Sequence, residues 1–155
     1  NSTLFALRHN AGPVEDVALV DVGSGKGKVI CLWSTHSKFN PQIKKIGIEY
    51  SPALSAICAD NLNIVSARNT AIYTLDAAKH DYNHGVSTLI LYLYNPFDRD
   101  LMERFLKALP QDKTIYIIYN NSLHSDLILE EGFKTIKDQP GWHPNVQFQV
   151  LLRRR

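Results

Sequence analysis

The 155-residue chain is 45% hydrophobic and 21% charged, with a formal charge of +2, a composition that fits one globular domain with a substantial core. So small a charge gives no electrostatic case for a nucleic acid partner, and no segment approaches the roughly 20 apolar residues needed to span a bilayer. No basic-then-apolar leader opens the sequence, which makes the cytoplasm the expected location; the first residue is Asn1, as in a trimmed or partial chain.

One domain is expected over 1–155, with 1–16 as an N-terminal segment and 17–152 as the core. Within the segment, Leu4-Phe5-Ala6-Leu7 suits part of a short lid helix. The core begins with the apolar run Val17-Ala18-Leu19-Val20, read as a strand over 17–22 buried on both faces. It runs into Asp21-Val22-Gly23-Ser24-Gly25-Lys26-Gly27, an acid followed by three alternating glycines. Glycine lacks a Cβ, adopts positive φ and leaves room for a bound molecule. A helix expected from about Lys28 points its free N–H groups at the same spot. Cys31 and Cys58 lack C-x-x-C spacing and sit among apolar neighbours. They read as buried free thiols in a reducing compartment rather than as a disulfide or a metal site.

Further apolar runs at 45–48, 71–75, 88–94 and 114–119 read as parallel strands, with helical patterns between them. Ser51 and Pro52 cap and open one helix, with Leu54, Ile57, Cys58, Asn61, Leu62 and Val65 on one face. Another starts near Asp98, turns Leu101, Met102, Phe105, Leu106 and Leu109 inward, and stops at Pro110. A third is expected over 122–131, with Gly132 as its left-handed terminator. The chain then changes character: 133–137, a turn near Pro140-Gly141, and the alternation of Val146, Phe148, Val150 and Leu152 predict an antiparallel hairpin. The fold class is therefore α/β: a Rossmann-like, mostly parallel, seven-stranded sheet with helices on both faces and a C-terminal antiparallel pair. Only 76–85 connect the third and fourth strands, so any helix there is short or absent. Arg153, Arg154 and Arg155 read as a solvated end.

The glycine turn is not a P-loop, which needs G-x-x-x-x-G-K-[ST]. A dinucleotide fingerprint needs G-x-G-x-x-G; Gly23 and Gly25 fit, but Lys28 stands where the third glycine belongs. Glu49, ending the second strand in Gly47-Ile48-Glu49-Tyr50, has a carboxylate able to accept two ribose hydroxyl hydrogen bonds.

With these features the sequence resembles the class I S-adenosylmethionine-dependent methyltransferases, from about Val17 to Leu152. The resemblance implies S-adenosylmethionine as cofactor. It implies that Gly23, Ser24, Gly25 and Gly27 wrap the methionine part, with Asp21 near its amino group. It places Glu49 on the ribose, Tyr50 on the adenine, and Asp76, followed by Ala77, at the exocyclic amine. Taken alone, Asp76 suits a turn cap equally well.

Tyr94-Asn95-Pro96-Phe97 is similar to the N-P-P-[YF] signature of methyltransferases that act on amino nitrogens, with Phe97 in place of the second proline. A closer likeness is to small bacterial methyltransferases carrying Y-N-P-F here. Asn95 and Pro96 can accept hydrogen bonds from an amine and aim its lone pair, and Phe97 can pack over the acceptor. The competing reading makes Asn95-Pro96 a loop opener and Asp98 a helix cap. Asn121 and His124 fall on the same sheet edge. His80, Asp81 and His84 lie in the short crossover without a full ligand set, so no metal is expected.

The expected activity is methyl transfer to an unidentified acceptor. A nitrogen acceptor is slightly favoured because no acid–base pair stands out, and an amine of a small molecule or protein is expected rather than a nucleic acid. A non-catalytic domain that holds the cofactor as a sensor or subunit is the alternative, and a nicotinamide-dependent oxidoreductase a more distant one. The oligomeric state does not follow from the sequence.

Overall fold

Six residues without a charged break except Asp21, Val17–Val22, form β1, and all six are buried. The computed structural model describes residues 16–36, 39–143 and 146–155; the expected lid helix at 4–7 lies outside the described residues. β1 is followed by helix α1 (Lys28–Thr35), strand β2 (Lys44–Glu49), helix α2 (Pro52–Ile64) and strand β3 (Thr70–Thr74). A 3₁₀ turn (Ala77–Lys79), strand β4 (Thr88–Tyr94), helix α3 (Arg99–Lys107) and strand β5 (Thr114–Asn120) come next. Helix α4 (Ser125–Glu130), strand β6 (Lys134–Gln139) and strand β7 (Phe148–Arg153) complete the described elements.

The strands form one sheet in the order β3-β2-β1-β4-β5-β7-β6. β1 lies between β2 and β4, with Val20 opposite both Ile46 and Leu91, and the first five strands are parallel. β7 enters antiparallel to β5, and β6 closes the edge antiparallel to β7 with an irregularity at Thr135/Lys137. The order reverses at β1, so chain segments leaving β1 and β4 diverge and open a crevice at their carboxyl ends.

Two apolar cores cover the two faces. On one, Ile30, Trp33, Cys58 and Leu62 of α1 and α2 pack on Leu19, Ile90, Tyr116 and Val150. On the other, Met102, Phe105, Leu106 and Ile128 of α3 and α4 pack on Val20, Leu91, Ile117 and Leu151. Helix ends follow their sequence signals. Ser51 Oγ accepts from Leu54 N at 3.4 Å and Asp98 Oδ1 from Leu101 N at 2.9 Å, and Gly132 takes φ 83° after α4.

Several expectations are corrected. Ile57, expected on the inner face of α2, is exposed, because the buried stripe runs through Ser55, Cys58 and Leu62. α4 begins at Ser125, since residues 121–124 turn sharply off β5, where Asn121 has φ 50°. β7 does not alternate. It is an interior strand with helices on both faces, so Val150 and Leu151 are both fully buried. β6 holds the edge and carries Lys134, Lys137 and Asp138, which discourage further strand pairing.

Arg153 is not solvated. It is 8% exposed, donates from Nη2 to Pro110 O at 2.7 Å and from Nη1 to Glu131 O at 3.4 Å, and lies over the Phe133 ring. Cys58 is buried as expected, Cys31 only half-buried, and both are free thiols. The crossover after β3 holds only the 3₁₀ turn, as its length required.

Candidate functional site

The turn after β1 is built by three glycines with positive φ that meet three different surroundings. Gly23 (φ 79°) lies so close to the segment leaving β4 that an added Cβ would stand 2.8 Å from Pro96 Cβ. Gly25 (φ 53°) faces open space, with nothing within 4 Å of a Cβ. Gly27 (φ 80°) caps α1 and faces inward, where a Cβ would stand 2.4 Å from Cys58 Sγ. The turn is pinned to β2 by Gly23 N and Ser24 N, which donate to Ile48 O at 2.9 and 3.0 Å, and to α2 by Asn61 Nδ2, which donates to Lys26 O at 2.8 Å.

Glu49 stands across from this turn at the end of β2. Its Oε2 accepts from Gly25 N and its Oε1 from Ser51 N, both at 2.8 Å. Asp21, 4% exposed, lies beneath. Burial pushes its carboxyl up to about 7, and the nearby Glu49 charge adds to the rise. Asp76 does serve as a cap: its Oδ1 accepts from Ala78 N at 2.9 Å, while Oδ2 lies 3.6 Å from Arg104 Nη1.

Between these groups is a cleft of about 320 Å³ lined by Gly23, Ile48, Glu49, Tyr50, Leu75, Asp76, Ala77, Phe97, Leu101 and Arg104. Of the residues expected from the sequence, it gathers Gly23, Glu49, Tyr50, Asp76, Ala77 and Phe97. Tyr50 stands on its rim, 78% exposed. Gly25 is tied to the cleft through Glu49. Ser24 is not in the lining: its hydroxyl is buried on the inner side of the turn, near Gly47. Gly27 serves the packing of α1 against α2.

The segment after β4 is fixed by an unusual conformation. Asn95 has φ 41°, a left-handed geometry that asparagine tolerates better than most residues. Its Oδ1 accepts from Tyr119 Oη at 3.3 Å, which ties the ends of β4 and β5 together. Phe97 turns towards Phe105, ring centroids 5.4 Å apart, and so walls the same cleft as Asp76. Asn121 and His124 stand at the neighbouring end of β5, where Asn121 N donates to Gln147 O at 3.1 Å.

Ile48, Leu75, Leu101 and Arg104 also line the cleft, although the sequence reading gave them no part in the site. Arg104 and Leu101 both reach the cleft from α3, and their i, i+3 spacing after the Asp98 cap is the signal that placed them on one face. Tyr119, one residue before the end of β5, holds Asn95.

No protein family matches the sequence, and no curated protein matches it. Solved structures do. A point mutant of MtNAS in complex with S-adenosylmethionine matches with a TM-score of 0.66 at 13% identity, over 97% of this chain and 61% of MtNAS. The precorrin-6y C5,15-methyltransferase of Geobacter metallireducens matches at 0.64 and 13% identity, over 99% of this chain and 88% of its own. The ribosomal protein L11 methylase of Lactobacillus delbrueckii subsp. bulgaricus matches at 0.65 and 12%, over 99% and 76%. The chain thus spans about 61% of the length of MtNAS and larger shares of the two methylases. With the sheet order, the antiparallel β7 and the cleft at the turn after β1, these likenesses show that the chain has the fold of the class I S-adenosylmethionine-dependent methyltransferases.

Proposed function

We propose that the cleft binds S-adenosylmethionine and that the chain transfers its methyl group to a nitrogen of an amine, in a small molecule or a protein. The observation that carries this reading is Glu49, a carboxylate at the end of β2 bonded to the one glycine of the turn that faces open space. Each Glu49 oxygen accepts one backbone N–H and keeps a second lone pair for a ribose hydroxyl. Of the charged groups that line the cleft, Glu49 and Asp76 are acidic and Arg104 basic, which suits a zwitterionic ligand with net positive charge. The residues therefore fit the cofactor.

When bound, the cofactor supplies an activated methyl group on a sulfonium. The chain's own task is then to hold the ligand and align the acceptor. Glu49 holds the ribose, Tyr50 covers the adenine from the rim, and Asp76 with Phe97 and Ala77 forms the far wall. The open flank of Gly25 admits the methionine part beside Asp21. Asn95, its side-chain oxygen oriented by Tyr119, accepts an N–H of the incoming amine and so directs the lone pair towards the cleft. Such alignment contributes on the order of 7–11 kcal/mol to lowering a barrier. A neutral amine needs no strong base, and none is required of this site.

Calorimetry of the folded chain with S-adenosylmethionine, S-adenosylhomocysteine and NAD tests the binding step. We expect the first two to bind in the micromolar range and NAD not to bind. Absence of any heat with both would overturn the reading. Transfer of a labelled methyl group to a panel of amines, peptides and nucleic acids tests the second step. Binding without transfer to amines, peptides or nucleic acids would leave a domain that holds the cofactor without using it.

A further inference from the structure

The crossover from β3 to β4 carries a pair of imidazoles that the cleft does not use. His80, just after the 3₁₀ turn, is 7% exposed, and His84 is half-buried. Their Nε2 atoms lie 3.2 Å apart and their ring centroids 5.0 Å apart, with the planes inclined at 35°. An N–H···N hydrogen bond between opposite tautomers brings imidazole nitrogens this close, and so does a metal ion shared by both rings.

An imidazole centre lies about 1.2 Å behind its Nε2 atom, so rings aimed head-on in a straight N–H···N hydrogen bond would have centroids about 5.6 Å apart. Lone pairs aimed instead at one shared ion, at the ~2.05 Å of a zinc–imidazole bond, would subtend roughly 100° and bring the centroids to about 5.0 Å. The observed 5.0 Å is shorter than a straight N–H···N bond sets and equals what a shared ion requires. We propose that His80 and His84 form a two-imidazole site for a divalent first-row transition-metal ion.

The surroundings hold both rings in place. Tyr73 packs against both, at 4.8 and 6.3 Å between centroids, and Tyr82 meets His80 edge-on at 4.9 Å. Lys44 Nζ donates to His84 O at 2.8 Å, which anchors the backbone under the second ring. His84 and Tyr73 line an open cleft of about 360 Å³ at the β2–β3 side, so solvent reaches the pair from the side of His84. Among the described residues no group of three His, Cys, Asp or Glu side chains converges here or elsewhere. Water or a small anion therefore completes the coordination, and the ion is exchangeable. Two imidazoles without a carboxylate select zinc, copper or nickel over calcium or magnesium, which take oxygen ligands. The bound ion clips together a stretch that contains no helix or strand.

Titration of the full chain with zinc chloride in a non-chelating buffer at pH 7.5 tests the site, with copper(II) paramagnetic resonance as a second readout. We expect one ion per chain, a rise in melting temperature, and a copper spectrum with two nitrogen ligands. His84→Asn and His80→Gln, each checked for native circular dichroism, should weaken binding roughly tenfold or more, and His36→Ala should leave it unchanged. No binding at millimolar zinc overturns the proposal. So does wild-type affinity in either folded variant, or a copper spectrum without nitrogen ligands.

Discussion

Glu49 Oε2 accepts a hydrogen bond from Gly25 N at 2.8 Å, joining the end of β2 to the only glycine of the first turn whose side faces open space. The same carboxylate holds Ser51 N through its other oxygen, so one side chain sets both the turn after β1 and the start of α2. Its removal should therefore act on ligand and loop together. Hydrogen bonds to a charged group are worth about 1.5–3 kcal/mol each, so Glu49→Ala should weaken S-adenosylmethionine roughly tenfold to a hundredfold by calorimetry. Amide hydrogen exchange at Gly25 should quicken in the same variant without ligand.

Gly25 and Gly27 should respond to alanine in opposite ways. At Gly27 the new methyl would meet Cys58 Sγ at 2.4 Å in a left-handed backbone, a cost of about 2–4 kcal/mol to the fold. At Gly25 only the backbone strain remains, about 1–2 kcal/mol. Denaturant unfolding should rank Gly27→Ala as the less stable, while Gly25→Ala should lose more of its cofactor affinity than of its stability. Adding Cys58→Ala to Gly27→Ala should restore part of the lost stability.

Asp21 makes stability depend on pH with a definite sign. Its folded pKa of about 7 lies above the ordinary 3.8, so the folded chain binds this proton more tightly than the unfolded one. The contribution is full below about pH 4 and falls as pH rises towards 7, after which it stays flat. Asp21→Asn should accordingly melt higher than the natural chain at pH 8 and lose that advantage on acidification to pH 4. Thermal melts across this range decide it.

The three closing arginines should separate cleanly. Arg153→Ala leaves Pro110 O and Glu131 O without their donors and uncovers the Phe133 ring, which should cost roughly 2–4 kcal/mol in denaturant unfolding. Arg154→Ala and Arg155→Ala, both at exposed positions, should stay within about 0.5 kcal/mol of the natural chain.

What the sequence disclosed and what it withheld follow one division. The strand cores, the caps at Ser51 and Asp98 and the stop at Gly132 are local signals, and each stands where its residues placed it. The turn after β1 and Glu49 were legible because residue types at strand ends carry chemistry by themselves. Gly27 looked like a ligand glycine, and only the position of Cys58 on α2, thirty-one residues on, reveals its packing task. Ser24, Phe97 and Arg104 likewise depend on which way a side chain turns among partners distant in sequence. Helical spacing alone puts Ile57 inward, yet α2 lies on the sheet through Ser55, Cys58 and Leu62. The alternation after Val146 suggested a one-faced strand, but β7 sits inside the sheet.

That insertion of β7 between β5 and β6 fixes the order in which the sheet can be completed. β6 precedes β7 in the chain but has no place at β5 until β7 has paired there. While residues 148–153 are still inside the ribosome, β5 presents an open row of backbone donors and acceptors beside a nascent β6. Such an edge is a template for pairing with a neighbouring chain. The sheet's last step is thus a contest between its own returning strand and a foreign one.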